Sequence, residues 1–160
     1  MRGIKVLYTL TMTTTISDIM RKKLETIEGT ASVQQAAKKM MEGNVSSLLI
    51  VDEKGMPRGI VSERDLVTKV CYNDRNASAV TNQEIMSSPL ITISPKSPPS
   101  EAADIMLQHN VRHLLVVDRS DSSNLNKPVG IITPLDFTRY QEYANDKEKD
   151  TIEKILEYYV

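Results

Sequence analysis

The chain of 160 residues is 40% hydrophobic and 26% charged, and its formal net charge is −1. This composition predicts one or two small domains with a buried core. The near-neutral charge and the 4% of aromatic residues make nucleic-acid binding unlikely. No apolar run approaches the roughly 18 residues of a membrane span. The single cysteine, Cys71, excludes an intrachain disulfide framework and suits a reducing, cytoplasmic location.

Residues 1–12 are predicted to form a short N-terminal arm. The segment has a basic start, but it is too rich in threonine for a secretory signal peptide and lacks a clear cleavage site. Translation could start at either Met1 or Met12.

The segment that follows has the pattern of a small α/β unit. In chain order we predict a strand at 26–27, a helix over 32–41, a strand at 48–51, a turn at 53–57, a strand at 59–61 and a helix over 63–71. Apolar residues at helical spacing and a Ser32–Gln35 capping box indicate the first helix. The continuous apolar run Leu48–Val51 is typical of a strand that is buried on both faces.

The same pattern then occurs a second time. Met20 matches Met86 and Asp52 matches Asp118 at an offset of 66 residues, whereas Gly59 matches Gly130 at an offset of 71. One insertion of five residues in the polar stretch 119–127 explains the change, because such loops tolerate insertion. The second helix is expected to begin near Pro98-Pro99. The chain therefore divides into repeats at 13–72 and 83–144, a linker at 73–82 and a C-terminal helix at 145–160.

Each repeat contains a glycine, two apolar residues and Ser/Thr-x-x-Asp, here Ser62 to Asp65 and Thr133 to Asp136. The pattern is typical of a helix N-terminus, since a Ser or Thr N-cap accepts a backbone N–H and an acid at the third position favours the first turn. The same geometry suits a ligand: free N–H groups can bind phosphate, and a carboxylate can hold a ribose diol. Both interpretations stay open, because capping and binding are compatible.

With these motifs in order and in frame, the chain resembles the CBS domain family, named after cystathionine β-synthase, over roughly residues 16–140. The resemblance implies an α/β (α+β) fold of two tandem βαββα units packed by pseudo-twofold symmetry. It also implies clefts between the units that bind adenosine compounds such as AMP, ADP, ATP or S-adenosylmethionine. Stand-alone pairs of this kind are regulatory, non-catalytic and commonly dimeric, and they require no cofactor.

The resemblance also assigns site residues by position. The Ser62/Asp65 site would include Arg64, Val111 and Arg112, and the Thr133/Asp136 site would include Val45, Ser46 and His113. The apolar motif residues Ile60 and Ile131 complete the candidate set. Because Leu135 is the counterpart of Arg64 and Ser47 that of His113, the two sites should differ in charge. Arg64 could instead be a solvated helix residue, and Arg112-His113 an ordinary polar entry into a strand.

The C-terminal segment has apolar residues at helical spacing, at positions 152, 155, 156 and 159. It could fold back on its own domain or form a dimer contact. The leading hypothesis is an adenosine-ligand sensor that signals to an unidentified protein, since no nucleophile–base–orienter set is recognisable. The alternative is a ligand-free module for dimerisation or protein interaction. No histidine has Cys or acidic residues around it at ligand spacing, so we expect no metal site.

Overall fold

The computed structural model of the protein describes residues 14–120, 127–140 and 146–159. The predicted arm at 1–12 and most of the insertion in the second repeat lie outside these residues. The first half contains α1 (Ile16–Ile19), β1 (Thr26–Glu28), α2 (Val33–Gly43), β2 (Ser47–Val51), β3 (Pro57–Ser62), α3 (Glu63–Asp65) and a π-helix (Leu66–Cys71). The second half contains α4 (Asn82–Ile85), β4 (Thr92–Ile93), α5 (Pro99–His109), β5 (Leu114–Asp118), β6 (Lys127–Ile132), a 3₁₀-helix (Pro134–Arg139) and α6 (Asp146–Tyr159).

The two halves form two sheets of the same design. In each sheet the first strand runs parallel to the second, and the second pairs antiparallel with the third. Both hairpins shift register at equivalent points, between Ile50 and Val51 and between Val116 and Val117. The predicted α/β class and the order strand, helix, strand, strand are confirmed in both repeats.

The helices α2 and α5 begin and end where the sequence predicts. Ser32 caps α2, since its Oγ accepts from the Gln35 N–H at 3.2 Å and its own N–H donates to Gln35 Oε1 at 2.9 Å. Helix α5 begins at Pro99, where a proline lacks only an N–H that would have no intrahelical partner. Both helices end at an asparagine in the left-handed region, Asn44 at φ 50° and Asn110 at φ 51°.

The last helix of each repeat differs from a regular α-helix. After one α-helical turn the first copy continues as a π-helix, in which the Tyr72 N–H donates to the Val67 carbonyl. The Thr68 hydroxyl donates to the Arg64 carbonyl at 2.7 Å, a back-bond of the kind that bends helices. The second copy forms a 3₁₀-helix instead, and the Tyr140 N–H donates to the Phe137 carbonyl at 3.0 Å.

Short segments are exchanged between the repeats. Ile16 and Ile19 of α1 are buried in the core of the second repeat, whereas Ile85 of α4 is buried in the core of the first. Each segment continues as one extra bridge on the opposite sheet: Arg21 pairs with Ile131, and Ser87 pairs with Ile60. The repeats are therefore interlocked, although their sequences are consecutive.

The motif glycines make this exchange possible. A Cβ on Gly59 would lie 2.6 Å from Met86 Sδ and 2.9 Å from the Ser87 carbonyl oxygen. A Cβ on Gly130 would lie 2.8 Å from the Arg21 carbonyl oxygen. Contacts below 3.0 Å force a backbone shift, so glycine is needed at both positions because another segment of the chain passes closely.

The two sheets meet through alternate residues of their central strands. Leu49, Leu115 and Val117 form one buried cluster, whereas Leu48 and Ile50 face the core of the first repeat. This alternation confirms the predicted burial of 48–51 on both faces. Helix α6 folds back on the second repeat, with Ile152 and Ile155 in its core. Among the described helices, none is long and apolar enough to span a membrane.

Candidate functional site

Both Ser/Thr-x-x-Asp motifs are helix caps in the structure. Asp65 Oδ2 accepts from the Ser62 N–H at 2.8 Å and from the Ser62 hydroxyl at 2.6 Å. Asp136 Oδ2 accepts from the Thr133 N–H and hydroxyl, both at 2.8 Å. One oxygen of each carboxylate is thus committed to the cap, and only Oδ1 is left to bind anything else.

The remaining Oδ1 atoms have different partners. Asp65 Oδ1 lies 2.7 Å from Lys69 Nζ, and the lysine side chain is 41% exposed. Asp136 Oδ1 accepts from Arg21 Nε at 2.9 Å, and the Asp136 side chain is fully buried. A ligand could displace the mobile lysine head group from Asp65 at little cost, because exposed ion pairs contribute about 0–1 kcal/mol. Displacing Arg21 from Asp136 would break a buried pair, which costs far more.

The first motif opens into a large cleft between the repeats. This cavity, the open cleft, has a volume of about 440 Å³, within the roughly 300–1,000 Å³ of small-molecule sites. Nine of the predicted site residues line it: Ser46, Ile60, Ser62, Arg64, Asp65, Val111, Arg112, His113 and Thr133. Val111 and Arg112 lie beside the Ser62 motif, as expected from their positions. His113, which was expected at the Thr133/Asp136 site, lines the open cleft together with Ser62, Asp65 and Thr133.

The second motif adjoins a much smaller space. A cavity of about 30 Å³, the closed cleft, is lined by Arg21 and by the predicted residues Val45, Ser46, Ile131 and Thr133. This volume is close to the space that one water molecule takes in the liquid. Asp136 lines neither cavity. The predicted residues of the second site are therefore neighbours, but they do not enclose a ligand-sized space.

One pair of equivalent residues accounts for this asymmetry. Arg21 and Ser87 are 66 residues apart, and each forms the extra bridge on the opposite sheet. The Arg21 side chain reaches Asp136 and fills the space beside the second motif. The short Ser87 side chain leaves the corresponding space beside Ser62 and Asp65 open, and Ser87 lines the cavity there.

The open cleft contains two arginines without a carboxylate partner. No ion pair to Arg64 or Arg112 occurs within the described residues. The Arg112 guanidinium lies over the Tyr159 ring, 5.2 Å from its centroid, in a cation–π contact. The buried Nε of Arg112 has no hydrogen-bond partner among the described residues.

His113 is held neutral at physiological pH. Burial lowers the pKa of its imidazole to about 4, and the Arg112 charge lowers the pKa further. The Asp65 and Asp136 carboxylates act in the opposite direction but do not offset the loss of hydration. The neutral ring can both donate and accept a hydrogen bond toward the cleft.

Sequence reasoning missed three contributors to the clefts. Arg21 and Ser87 could have been found, since the offset of 66 aligns a long cation with a small hydroxyl. Tyr159 could not, because no pattern in the sequence indicates that the end of α6 reaches the cleft, where Tyr159 lines the wall. The motif glycines were expected to let a ligand approach the backbone. In the structure another segment of the chain takes that space.

Comparison with known proteins identifies the class. The family model of the CBS domain matches residues 16–72 and 83–143, so the chain belongs to the CBS domain family and contains a pair of these domains. An uncharacterized protein of Methanopyrus kandleri is 32% identical over 142 residues, which make up 89% of this chain and 70% of that protein. CBS domain pairs are generally regulatory modules.

Solved structures agree with the fold. A CBS domain pair in complex with 5′-methylthioadenosine and S-adenosyl-L-methionine is 30% identical, with a TM-score of 0.68 over 81% of this chain and 96% of that one. A hexameric CBS-CP12 protein from bloom-forming cyanobacteria is 26% identical, with a TM-score of 0.72 over 89% of this chain and 78% of that one. Pairs of this fold thus include one that binds adenosine-type ligands and one that assembles into an oligomer.

Proposed function

We propose that the protein is a non-catalytic sensor that binds an adenosine-containing ligand, such as AMP, ADP, ATP or S-adenosylmethionine, in the open cleft. The observation that carries this proposal is the cavity of about 440 Å³ between the repeats, with Ser62, Asp65, Arg112 and His113 in its wall. The similar CBS pair in complex with two adenosine-type ligands supports the same class of ligand.

The wall of the open cleft suits a nucleoside. Apolar residues such as Ile60, Val111 and Leu115 line part of the cavity and can contact a base. Asp65 Oδ1, paired only with the half-exposed Lys69, can accept from a ribose diol. Polar groups beside apolar walls are the usual composition of a small-molecule site.

Signalling would follow from the position of the cleft between the repeats. A ligand that contacts both repeats favours the arrangement in which both walls are in reach, and it shifts the population by its difference in affinity for the two arrangements. A protein partner would read that shift. We further propose that the chain forms homodimers in the cytoplasm, an expectation that sedimentation-velocity ultracentrifugation can test.

A thermal-shift panel of AMP, ADP, ATP, NAD and S-adenosylmethionine tests the proposal. A ligand at about 100 times its Kd should stabilise the folded state by about 2.7 kcal/mol and raise Tm measurably. The variant Asp65→Ala should lose the shift. The matched control Asp104→Ala, an exposed acid on α5, should retain it. A panel without any shift would contradict ligand sensing.

The second candidate is a ligand-free module for dimerisation or protein interaction. The closed cleft favours it at one site, since Arg21 already satisfies Asp136. It would be supported if no ligand bound while the protein still formed a stable oligomer. The open cleft, whose arginines lack partners among the described residues, makes ligand binding the better-supported function.

A further inference from the structure

The charges around the open cleft do not balance. Arg21 is neutralised by Asp136 and Asp65 by Lys69, with contacts of 2.9 and 2.7 Å. Arg64 and Arg112 then stand against one acid of the lining, the exposed Glu63. An excess of positive charge in a concave, partly desolvated site attracts anions and repels cations.

Arg112 is held in a way that leaves its donors available. The ring of Tyr159 covers the guanidinium, and the Tyr159 hydroxyl donates to the Met106 carbonyl at 2.8 Å. This bond anchors the end of α6 on α5. The ring fixes Arg112 without accepting a hydrogen bond from it, and the buried Nε has no partner among the described residues.

Arg64 approaches the same place from the other repeat. Its charge, like that of Arg112, acts on the Tyr159 hydroxyl and lowers its pKa, although burial dominates and raises that pKa overall. Both guanidinium groups therefore lie near one end of the cleft. Two unpaired arginines can bind the oxygens of one phosphate or diphosphate in charge-assisted hydrogen bonds.

We propose that Arg64 and Arg112 form an anion-binding pair, positioned by Tyr159 of α6, that selects phosphorylated adenosine ligands over the cationic sulfonium of S-adenosylmethionine. The inference rests on the proposed function and adds two features to it. The ligand carries phosphate, and α6 senses its presence through Tyr159, because a phosphate that draws Arg112 away changes the contact between arginine and ring.

The test compares ligands that differ only in the part that the arginine pair would bind. Isothermal titration calorimetry with adenosine, AMP, S-adenosylmethionine and inorganic pyrophosphate should show AMP binding at least about tenfold tighter than adenosine, a difference of about 1.4 kcal/mol. AMP affinity should fall with added salt, whereas adenosine affinity should not.

Variants separate the role of each residue. Arg64→Gln and Arg112→Gln should each weaken AMP binding about tenfold and leave adenosine binding unchanged. The control Arg58→Gln removes an exposed arginine that pairs with Asp52 outside the open cleft, and it should change neither affinity. Two arginine variants are used so that a folding defect in one does not remove the test.

Tyr159 is tested as a positioning residue. Tyr159→Phe keeps the ring over Arg112 and should preserve the preference for AMP over adenosine. Tyr159→Leu removes the ring and should reduce that preference, whereas a purely structural role would lower Tm without changing the ratio of the two affinities.

The outcomes distinguish this inference from the function on which it rests. If S-adenosylmethionine or adenosine binds as tightly as AMP, the arginine pair does not select phosphate, but the sensor function stands. If pyrophosphate binds in an Arg64-dependent manner and no nucleoside does, the anion-binding pair stands and the adenosine function fails. If none of the four probes binds, both are refuted.

Discussion

The two motif clefts of this CBS pair share one sequence pattern but differ in structure. Ser62 and Asp65 adjoin a cavity of about 440 Å³, whereas Thr133 adjoins about 30 Å³. The caps themselves are alike, with hydrogen bonds of 2.6–2.8 Å to Oδ2 of each aspartate. A conserved-looking motif therefore fixes the start of a helix, and a residue far away in sequence decides whether a ligand-sized space lies beside it.

That distant residue lies on an exchanged segment. Arg21 belongs by sequence to the first repeat, but it pairs with the sheet and the aspartate of the second. Ser87 occupies the equivalent place on the first repeat. In an interlocked duplication, one substitution on an exchanged segment can close one site without changing its motif.

The largest difference is expected in stability. Asp136→Ala should lower the free energy of unfolding by about 3 kcal/mol, because it removes the cap and leaves the Arg21 guanidinium without its buried partner. Asp65→Ala should cost about 1 kcal/mol, since Lys69 can turn to solvent. Urea unfolding measures both. The double variant Arg21→Ala/Asp136→Ala should recover part of the loss, and equal costs for the two aspartates would refute the distinction.

The motif glycines should be equally intolerant in both repeats. Gly59→Ala and Gly130→Ala should each cost about 1–3 kcal/mol, because the added methyl would overlap the segment that carries Met86 or Met20. Gly43→Ala is the control: its Cβ would meet only ordinary contacts with Glu25, from 3.5 Å, and alanine favours a helix by about 0.5–1 kcal/mol. Thermal unfolding of the three variants decides; a tolerated Gly59→Ala would argue against close segment packing.

Exchanging the two bridge residues should exchange the clefts. Ser87→Arg places a guanidinium beside Asp65 and should weaken AMP binding at least about tenfold, or about 1.4 kcal/mol. Arg21→Ser should widen the closed cleft and add a second, weaker binding event in calorimetry. If Ser87→Arg binds AMP as well as the parent protein does, occupancy by Arg21 is not what closes the second cleft.

The smallest effect concerns His113. Its folded-state pKa of about 4 lies below the usual value of 6.5, so the unfolded chain binds more protons between these pH values, and stability should fall as pH drops from 6.5 toward 4. In His113→Gln this part of the pH dependence should disappear. Histidine NMR titration gives the pKa directly, and His109→Gln leaves one resonance to follow. A titration midpoint near 6.5 would contradict a desolvated imidazole.

Much of the fold was predictable from the sequence because it depends on local patterns. The apolar run at 48–51, the Ser32–Gln35 box and Pro99 each specify an element through burial, capping or a fixed φ angle. The departures within the last helices were not predictable. The π-helix after Asp65 involves Lys69, which reaches both Asp65 and the Ile85 carbonyl, and such contacts form only once the repeats are packed.

The site was predictable in its members more than in its shape. Alignment of the repeats placed Val111 and Arg112 beside the first motif, where the structure has them. The exchange of α1 and α4 was not visible, because equal spacing in both copies fits either a separate or an interlocked pair. His113 therefore faces a cleft that spans both repeats, and Tyr159 reaches the same cleft from a helix outside the duplicated pattern.

The most direct test is a crystal structure of the protein with AMP. We expect one nucleotide per chain in the open cleft, with its phosphate against Arg64 and Arg112 and its ribose near Asp65, and with the Arg21–Asp136 pair intact. A nucleotide beside Thr133 with Arg21 displaced, while the open cleft stays empty, would contradict the account.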